Sequence, residues 1–336
     1  MTITQANVKR DIVFDALKFF AIYMVLWGHA IQWLSSTPYY DKPIYRIIYS
    51  FHMPLFMTIV GYFSTTNKHL TLIQFTLKKT RQLLLPACSF GVIFFVLGYY
   101  KWGGVKQAFG EWLYCFWFLK SAFCCTMLYY INRLWIKQSF LLFFITLLIS
   151  QVVFAFKINL MYPCFLFGVF LHNQIGIIKQ ISLPSMCISG IVFITMLFFW
   201  DADFWLFPHD KIKIGIQENI EYYYFNGYRI VIGLFGTLFF ISFFLFIFSK
   251  FKFPNTVLKI ISLGQDTLGI YLLQTFLLEM LLPNLINLDN IDFIFFNFIV
   301  TPSISLAILL VCLSILCIIK KSTSLSLIFL GKKIYS

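Results

Sequence analysis

The sequence has few charged residues. Asp, Glu, Lys and Arg make up 12% of its 336 residues, about half the share of an ordinary soluble domain. Hydrophobic residues make up 60% and the mean hydropathy is +0.84, which excludes such a domain and indicates a multi-pass membrane protein. Acidic residues are outnumbered, 13 against 26 Lys and Arg. Because the basic residues form short clusters between apolar runs, they indicate membrane topology and not nucleic-acid binding.

Metal-binding patterns are also missing. The eight cysteines lie almost wholly inside apolar stretches, without CxxC spacing or neighbouring histidines, so no metal site is predicted and the cysteines are interpreted as packing residues. No repeat of 20–50 residues is visible. The sequence therefore predicts one integral-membrane domain over 1–336, which ends in a short basic cytoplasmic tail at 321–336.

Ten apolar runs are about as long as a membrane helix. An all-α integral membrane protein of about ten transmembrane helices is predicted, with spans near 12–34, 45–66, 83–100, 113–131, 139–156, 158–176, 183–202, 227–249, 262–284 and 293–319. An even number puts both termini on one side. That side receives sixteen of the Lys and Arg residues and the other side seven, so the positive-inside rule predicts that both termini are cytoplasmic. The predicted location is a membrane that borders the cytoplasm.

Three ionisable residues interrupt the first predicted span. Asp15, Lys18 and His29 lie on one helical face, because 15 to 29 and 18 to 29 are steps of fourteen and eleven residues. Such groups are expensive in lipid, so the face is expected to line a protein interior or a wet cavity. At 1.5 Å per residue, Lys18 and His29 are about 16 Å apart along the axis. An ion pair of Asp15 with Lys18, together with a histidine that bonds a neighbouring helix, is an equally good interpretation.

Further candidates occur in later segments. His52 lies two residues before Pro54, which breaks the backbone ladder of the second span and frees carbonyl groups to line a cavity. A packing kink is the plainer interpretation. Lys78, Lys79 and Arg81 are candidates for gripping a phosphate at the inner mouth, although topology explains at least one of them.

The eighth and ninth spans carry polar groups as well. Arg229 lies at the outer end of the eighth span, and Tyr271, Gln274 and Glu279 lie in the ninth. Spacings of three and five residues spread the last three over a broad helical face. Glu279 and Arg229 are expected at similar depth, either as a buried pair or as a site for a polar acceptor.

Several of these segments resemble one family. Residues 10–21 with Trp27-Gly28-His29 resemble the opening helix of the acyltransferase 3 family of bacterial membrane O-acyltransferases, whose signature is a basic residue, ten positions and a histidine. Residues 51–56 with Gly61-Tyr62 are similar to the second-helix motif of that family. Lys18 stands where arginine is usual, which keeps the charge and loses bidentate binding, and Gln274 stands where histidine is common. Weaker matches occur at 81–86, 117–119, 228–229 and 263–274.

The resemblance implies acetyl-CoA or another acyl-CoA as the cytoplasmic donor. It implies as acceptor a hydroxyl of a surface glycan or of its lipid-linked precursor. In this interpretation His29 is the general base and His52 assists, either by stabilising the oxyanion or by orienting the acceptor. An acyl-histidine intermediate is the competing mechanism. The expected donor-binding residues are Arg10, Lys78, Lys79 and Arg81, and the expected substrate-binding residues are Lys18, Asp15, Arg229, Tyr271, Gln274 and Glu279.

Other classes of protein share some of these features. A transporter or flippase of a polar or lipid-linked solute also has intramembrane charges and proline-broken helices, but the sequence has no obvious inverted repeat. A polymerase-like glycan enzyme needs larger outer loops than this sequence provides.

Overall fold

All regular structure in the described residues is helical. The computed structural model describes residues 11–34, 42–65, 70–102, 104–136, 139–153, 155–200, 216–286, 288 and 291–332. Its helices are α1 Ile12–Trp33, α2 Pro43–Ser64, α3 Leu72–Lys79, α4 Leu85–Trp102, α5 Val105–Tyr114, α6 Trp117–Trp135, α7 Ser139–Gln151, α8 Ile158–Gln180, α9 Ser182–Phe198, α10 Ile216–Lys250, α11 Asn255–Ser262, α12 Thr267–Gln274, α13 Phe293–Phe295, α14 Thr301–Lys320 and α15 Thr323–Leu330.

Shorter helical pieces join some of these elements. Turns of π-helix cover Thr80–Leu84, Thr275–Leu281 and Phe296–Val300, and turns of 3-10 helix cover Ala155–Lys157, Leu263–Asp266 and Leu282–Asn284. The predicted all-helical class is confirmed.

Six helical segments of the described chain are long and apolar enough to cross a membrane. They are Ile12–Trp33, Pro43–Ser64, Leu72–Tyr99, Ala155–Gln180, Tyr223–Lys250 and Phe293–Lys320, and Phe140–Gln151 and Ser182–Phe198 are shorter apolar helices. Helical residues cover most of each of the ten predicted spans. The count of ten and the cytoplasmic placement of both termini stay predictions.

Two boundaries differ from the sequence-based expectation. The predicted span at 83–100 belongs to a longer rod that begins at Leu72, where Thr71 and Gln74 form a reciprocal capping box. The basic residues at 78–81 made this first part look like a loop. The predicted span at 113–131 is divided between α5 and α6, because Phe116 has a left-handed backbone with φ 53°. α5 is therefore a separate ten-residue helix.

The helices around α1 and α2 bring the polar residues together. Asp11 caps α1 by accepting a hydrogen bond from the Val13 N–H at 3.1 Å. α2 and α8 approach so closely that a Cβ at Gly61 would collide with the carbonyl oxygen of Phe165. A Cβ at Gly168 would collide with the carbonyl oxygen of Thr58. Close packing at small residues is typical of membrane helices, and here it fixes α2, which carries His52, against α8.

Candidate active site

A cavity of about 370 Å³ lies among α1, α2, α5, α6, α8, α10 and the segment from α12 to the following π turn. Its wall combines ionisable, amide, hydroxyl and aromatic side chains. These lining residues include His29, Tyr49, His52, Glu111, Trp117, Lys157, Trp200, Arg229, Tyr271, Gln274, Thr275 and Glu279. A wall of this composition suits a polar organic substrate, because aromatic faces supply contact area and polar groups fix its orientation.

His29 and Glu279 form a pair of opposite ionisable groups in this wall. Nδ1 of His29 lies 3.0 Å from Oε1 of Glu279, and the two side chains are 20% and 19% exposed. Nδ1 itself is buried and makes no hydrogen bond within the described residues, so the two groups approach at ion-pair distance without one. The exposed part of the His29 side chain therefore lies away from Nδ1.

A π-helical turn explains why Glu279 reaches His29. Thr275–Leu281 is π-helix, in which hydrogen bonds join residues five apart. Gln274 and Glu279 are separated by five residues and therefore lie about one widened turn apart, so both line the same cavity with Tyr271. Tyr271, Gln274 and Glu279 therefore share a narrower face than the broad one expected from a regular α-helix. The Lys101 ammonium group also donates to the Glu279 carbonyl oxygen at 2.9 Å, which anchors this turn to α4.

His52 is buried beside the same space. Its Nδ1 is 2.7 Å from the carbonyl oxygen of Ile48, an arrangement in which Nδ1–H donates and Nε2 is left as an acceptor. The ring of Tyr49 lies between the two histidines, with centroids 4.6 Å from His52 and 6.4 Å from His29. The Tyr49 hydroxyl donates to Gln32 at 2.7 Å, which orients the phenol.

α10 contributes Arg229 to the opposite wall of the cavity. Four residues further on, a Cβ at Gly233 would lie 2.7 Å from Cγ of Pro54, so the glycine lets α10 approach the proline of α2. This contact fixes the wall that carries Arg229 against the helix that carries His52.

Asp15 and Lys18 lie at the other end of α1, outside this wall. Nζ of Lys18 is 3.5 Å from Asp15 and 4.8 Å from the Phe63 ring centroid. Asp15 also accepts a hydrogen bond from Gln265 at 3.2 Å. The predicted shared face of α1 is therefore divided between two places, a cavity around His29 and an ion pair near the start of the helix.

The predicted donor-binding residues lie apart from the cavity as well. Lys78 and Lys79 end α3, and Arg81 lies in the π turn that follows. Nζ of Lys79 is 5.8 Å from the centroid of the Phe75 ring. Arg10 lies outside the described residues.

Lys157 is a cavity residue that the sequence did not single out. It has φ 59° and follows Phe156 at φ 53°, so two consecutive non-glycine residues are left-handed. Its Nζ lies 4.7 Å from the Trp117 ring centroid. Glu111, Tyr49 and Trp200 were missed in the same way. Only their aromatic or charged character marked them, and many residues of this sequence share that character.

Comparison with known proteins identifies the family of the chain. A family model described as an acyltransferase domain, Acyl_transf_3, matches residues 11–319. The chain belongs to the acyltransferase 3 family. Family membership and the apolar helices together make it a multi-pass membrane protein of an acyltransferase family.

Two curated relatives match a shorter part. Nodulation protein NolL of Mesorhizobium japonicum is 39% identical over 84 residues, and that of Sinorhizobium fredii is 35% identical over 82 residues. Each match covers 23% of this chain and 22% of the relative. The chain therefore spans about a fifth of the length of these relatives. No solved structure matches significantly.

Proposed function

We propose that this protein is a membrane O-acyltransferase of the bacterial inner membrane. It moves an acyl group, most simply acetyl, from cytoplasmic acyl-CoA to a hydroxyl of a surface glycan or its lipid-linked precursor. The observation that carries the proposal is the His29–Glu279 contact of 3.0 Å inside a polar and aromatic cavity. A histidine oriented by a carboxylate is a common general base in acyl transfer.

In the proposed reaction, Nε2 of His29 accepts the proton of the acceptor hydroxyl. The acceptor oxygen attacks the thioester carbonyl carbon, and the electron pair of the C=O bond moves to oxygen. When the tetrahedral intermediate collapses, the C–S bond breaks and the CoA thiolate receives the proton from the imidazolium. The negative charge of Glu279 beside Nδ1 stabilises that imidazolium.

Two cavity residues are assigned to the developing charge and the acceptor. Arg229 is a donor for the oxyanion or for an acceptor oxygen. His52 presents Nε2 as a hydrogen-bond acceptor, because its Nδ1 faces the Ile48 carbonyl. It therefore suits a second hydroxyl of the acceptor better than an oxyanion. Tyr271 and Gln274 complete the acceptor side of the cavity.

The donor is assigned to the opposite end of α1. Arg10, Lys78, Lys79 and Arg81, with Lys18, are the proposed contacts for the phosphates of acyl-CoA, since basic side chains bind phosphate oxygens strongly. The thioester then extends along α1 toward His29, over about 16 Å at 1.5 Å per residue.

The glycan acceptor is supported by the character of the cavity wall. Trp117, Trp200 and Tyr49 offer ring faces, and Glu111 and Arg229 offer polar groups beside them. Sugars have apolar faces and many hydroxyls, so a mixed wall of this kind fits them.

The proposal is tested with purified protein in detergent and radiolabelled acetyl-CoA. We expect label to move to a hydroxyl of the lipid-linked glycan fraction, and His29→Ala to lower the rate by at least about 10²-fold. His172→Ala is the matched control, because His172 lies against Tyr62 and does not line the cavity. Substantial transfer by purified His29→Ala protein would reject the role of His29. Vesicle uptake without covalent transfer would favour a transporter instead.

The competing acyl-histidine mechanism has its own test. The protein is incubated with labelled donor and no acceptor, then digested and mapped. A general base predicts no label on His29, whereas nucleophilic catalysis predicts label there that is chased by acceptor.

A further inference from the structure

A second polar cluster lies at the end of α1 away from the cavity. Lys18 pairs with Asp15 at 3.5 Å, and Gln265 donates to Asp15 at 3.2 Å. The backbones of Gly264 and α1 also lie close together, because a Cβ at Gly264 would collide with the carbonyl oxygen of Asp15. The 3-10 turn Leu263–Asp266 is therefore fixed against α1.

Two lysines from the end of the chain join this cluster. Nζ of Lys320, the last residue of α14, lies 2.6 Å from Asp266. Nζ of Lys332 donates to the Gln265 carbonyl oxygen at 3.3 Å. Neither lysine is a direct neighbour of Lys18 in sequence. The 3-10 turn brings all three ammonium groups to one patch.

The C-terminal helix is docked and brings Arg81 to the edge of the same patch. α15 ends at Leu330 and is capped by Gly331, which has φ +65°. A Cβ at Gly331 would collide with the Arg81 carbonyl oxygen. Leu330 is buried and packs over Gly269 of α12. The region predicted as a tail thus includes a packed helix, and Lys332 follows directly after the contact with the Arg81 turn.

We propose that Lys18, Lys320 and Lys332, with Arg81 at their edge, form the site that binds the phosphates of the CoA nucleotide. The inference rests on the proposed function and adds two donor-binding lysines to it. Asp15 pairs with Lys18 and Asp266 pairs with Lys320, whereas Lys332 donates to a backbone carbonyl. Three lysines beside two carboxylates leave an excess of positive charge. Lys332 and Arg81 are exposed, and the Lys320 side chain is 36% exposed, so a solute reaches them.

The geometry also fits the length of the donor. Lys18 and His29 are eleven residues apart on α1, about 16 Å. That separation is of the order spanned by the pantetheine arm between the nucleotide phosphates and the thioester of acyl-CoA. Phosphates bound at the cluster therefore place the thioester at the cavity.

The test compares three acetyl donors that carry different numbers of phosphates. Acetyl-CoA, 3′-dephospho-acetyl-CoA and S-acetylpantetheine are supplied to the full-length protein in detergent, and KM and kcat are measured for wild type and Lys332→Met. Lys332 is chosen because its Nζ donates to the backbone carbonyl of Gln265, so its removal takes no hydrogen bond from a carboxylate. We expect KM for acetyl-CoA to rise about tenfold, the effect of losing one charge-assisted contact. KM for S-acetylpantetheine is expected to stay unchanged.

Lys252→Met is the matched control, since Lys252 is an exposed lysine after α10 and outside the cluster. It should leave all three KM values unchanged. The dephospho donor shows which phosphate Lys332 contacts. Gly331→Ala provides a second variant, which should undock Lys332 and raise KM for acetyl-CoA only. Equal KM values for wild type and Lys332→Met with acetyl-CoA, or equal rises with all donors, would overturn the proposal. Failure of wild type to transfer from any donor would instead count against the proposed function.

Discussion

Glu279 lies 3.0 Å from Nδ1 of His29, which joins the first helix to a π turn 250 residues later in the chain. Glu279 lies within the π turn Thr275–Leu281, where its side chain points in a direction different from that in a regular α-helix. π turns in α-helices are frequent at functional sites. In the proposed reaction this contact stabilises the imidazolium that forms when the acceptor loses its proton.

Glu279→Gln should therefore lower kcat about a hundredfold or more, with a smaller change in KM. The substitution keeps the side-chain size and removes the negative charge, and charge stabilisation of the imidazolium is needed after substrate has bound. Steady-state kinetics on the purified variant measure both constants. Glu111→Gln, in the same cavity wall, serves as the control. A loss of similar size in both variants would show that the effect does not depend on the contact of Glu279 with His29.

The contact between α2 and α8 should tolerate no added methyl group. Gly168→Ala would place a Cβ against the Thr58 carbonyl oxygen. The backbone must shift to relieve that collision, which should lower the free energy of unfolding by about 1–3 kcal/mol or more. Gly176→Ala, in the same helix with no atom within 4 Å of its Cβ, should be neutral or stabilising by up to about 1 kcal/mol. Thermal unfolding in detergent measures both variants. A Gly168→Ala protein as stable as Gly176→Ala would contradict the close approach.

The sequence predicted the all-helical class and most helix positions, because long apolar runs have few alternatives. The span predicted at 12–34 is α1, which ends at Trp33. α5 was missed because nothing local marks the left-handed Phe116 that separates it from α6. Helix breaks made by tertiary packing leave no composition signal.

The cavity was predictable in part. His29 and His52 each carry a local signal, a polar residue in an apolar run, and both line the cavity. Lys18 is also a polar residue in an apolar run, but it lies outside the cavity. Helical spacing shows which residues share a face of α1 and does not show which neighbouring helix covers each part of that face. The contact of His29 with Glu279 depends on the π turn and on the packing of distant helices. Neither is encoded in spacing along the chain.

Backbone strain at Lys157 should be measurable. A left-handed conformation costs a non-glycine residue about 1–2 kcal/mol, and Lys157 has φ 59°. Lys157→Gly should therefore be about 1 kcal/mol more stable than Lys157→Ala, since both variants lack the long side chain. Lys179 is exposed within α8. There the order of stability should reverse, and Lys179→Gly should be about 1 kcal/mol less stable than Lys179→Ala. Denaturation midpoints of the four variants check this, and the same order at both positions would refute the strain.

Labelling of single cysteines should reveal the orientation of the chain in the membrane. Cys115 is partly exposed and lines the cavity, and the predicted topology places this end of α6 on the outer side. In a variant with the other cysteines replaced by serine or alanine, a membrane-impermeant maleimide should label Cys115 in intact cells. Lys332→Cys in the same background should be labelled only after permeabilisation, because the end of the chain is predicted to be cytoplasmic. Bound acceptor should slow labelling at Cys115 and not at position 332. Labelling of both positions in intact cells would reject the predicted placement of the termini and, with it, the cytoplasmic donor site around Lys332.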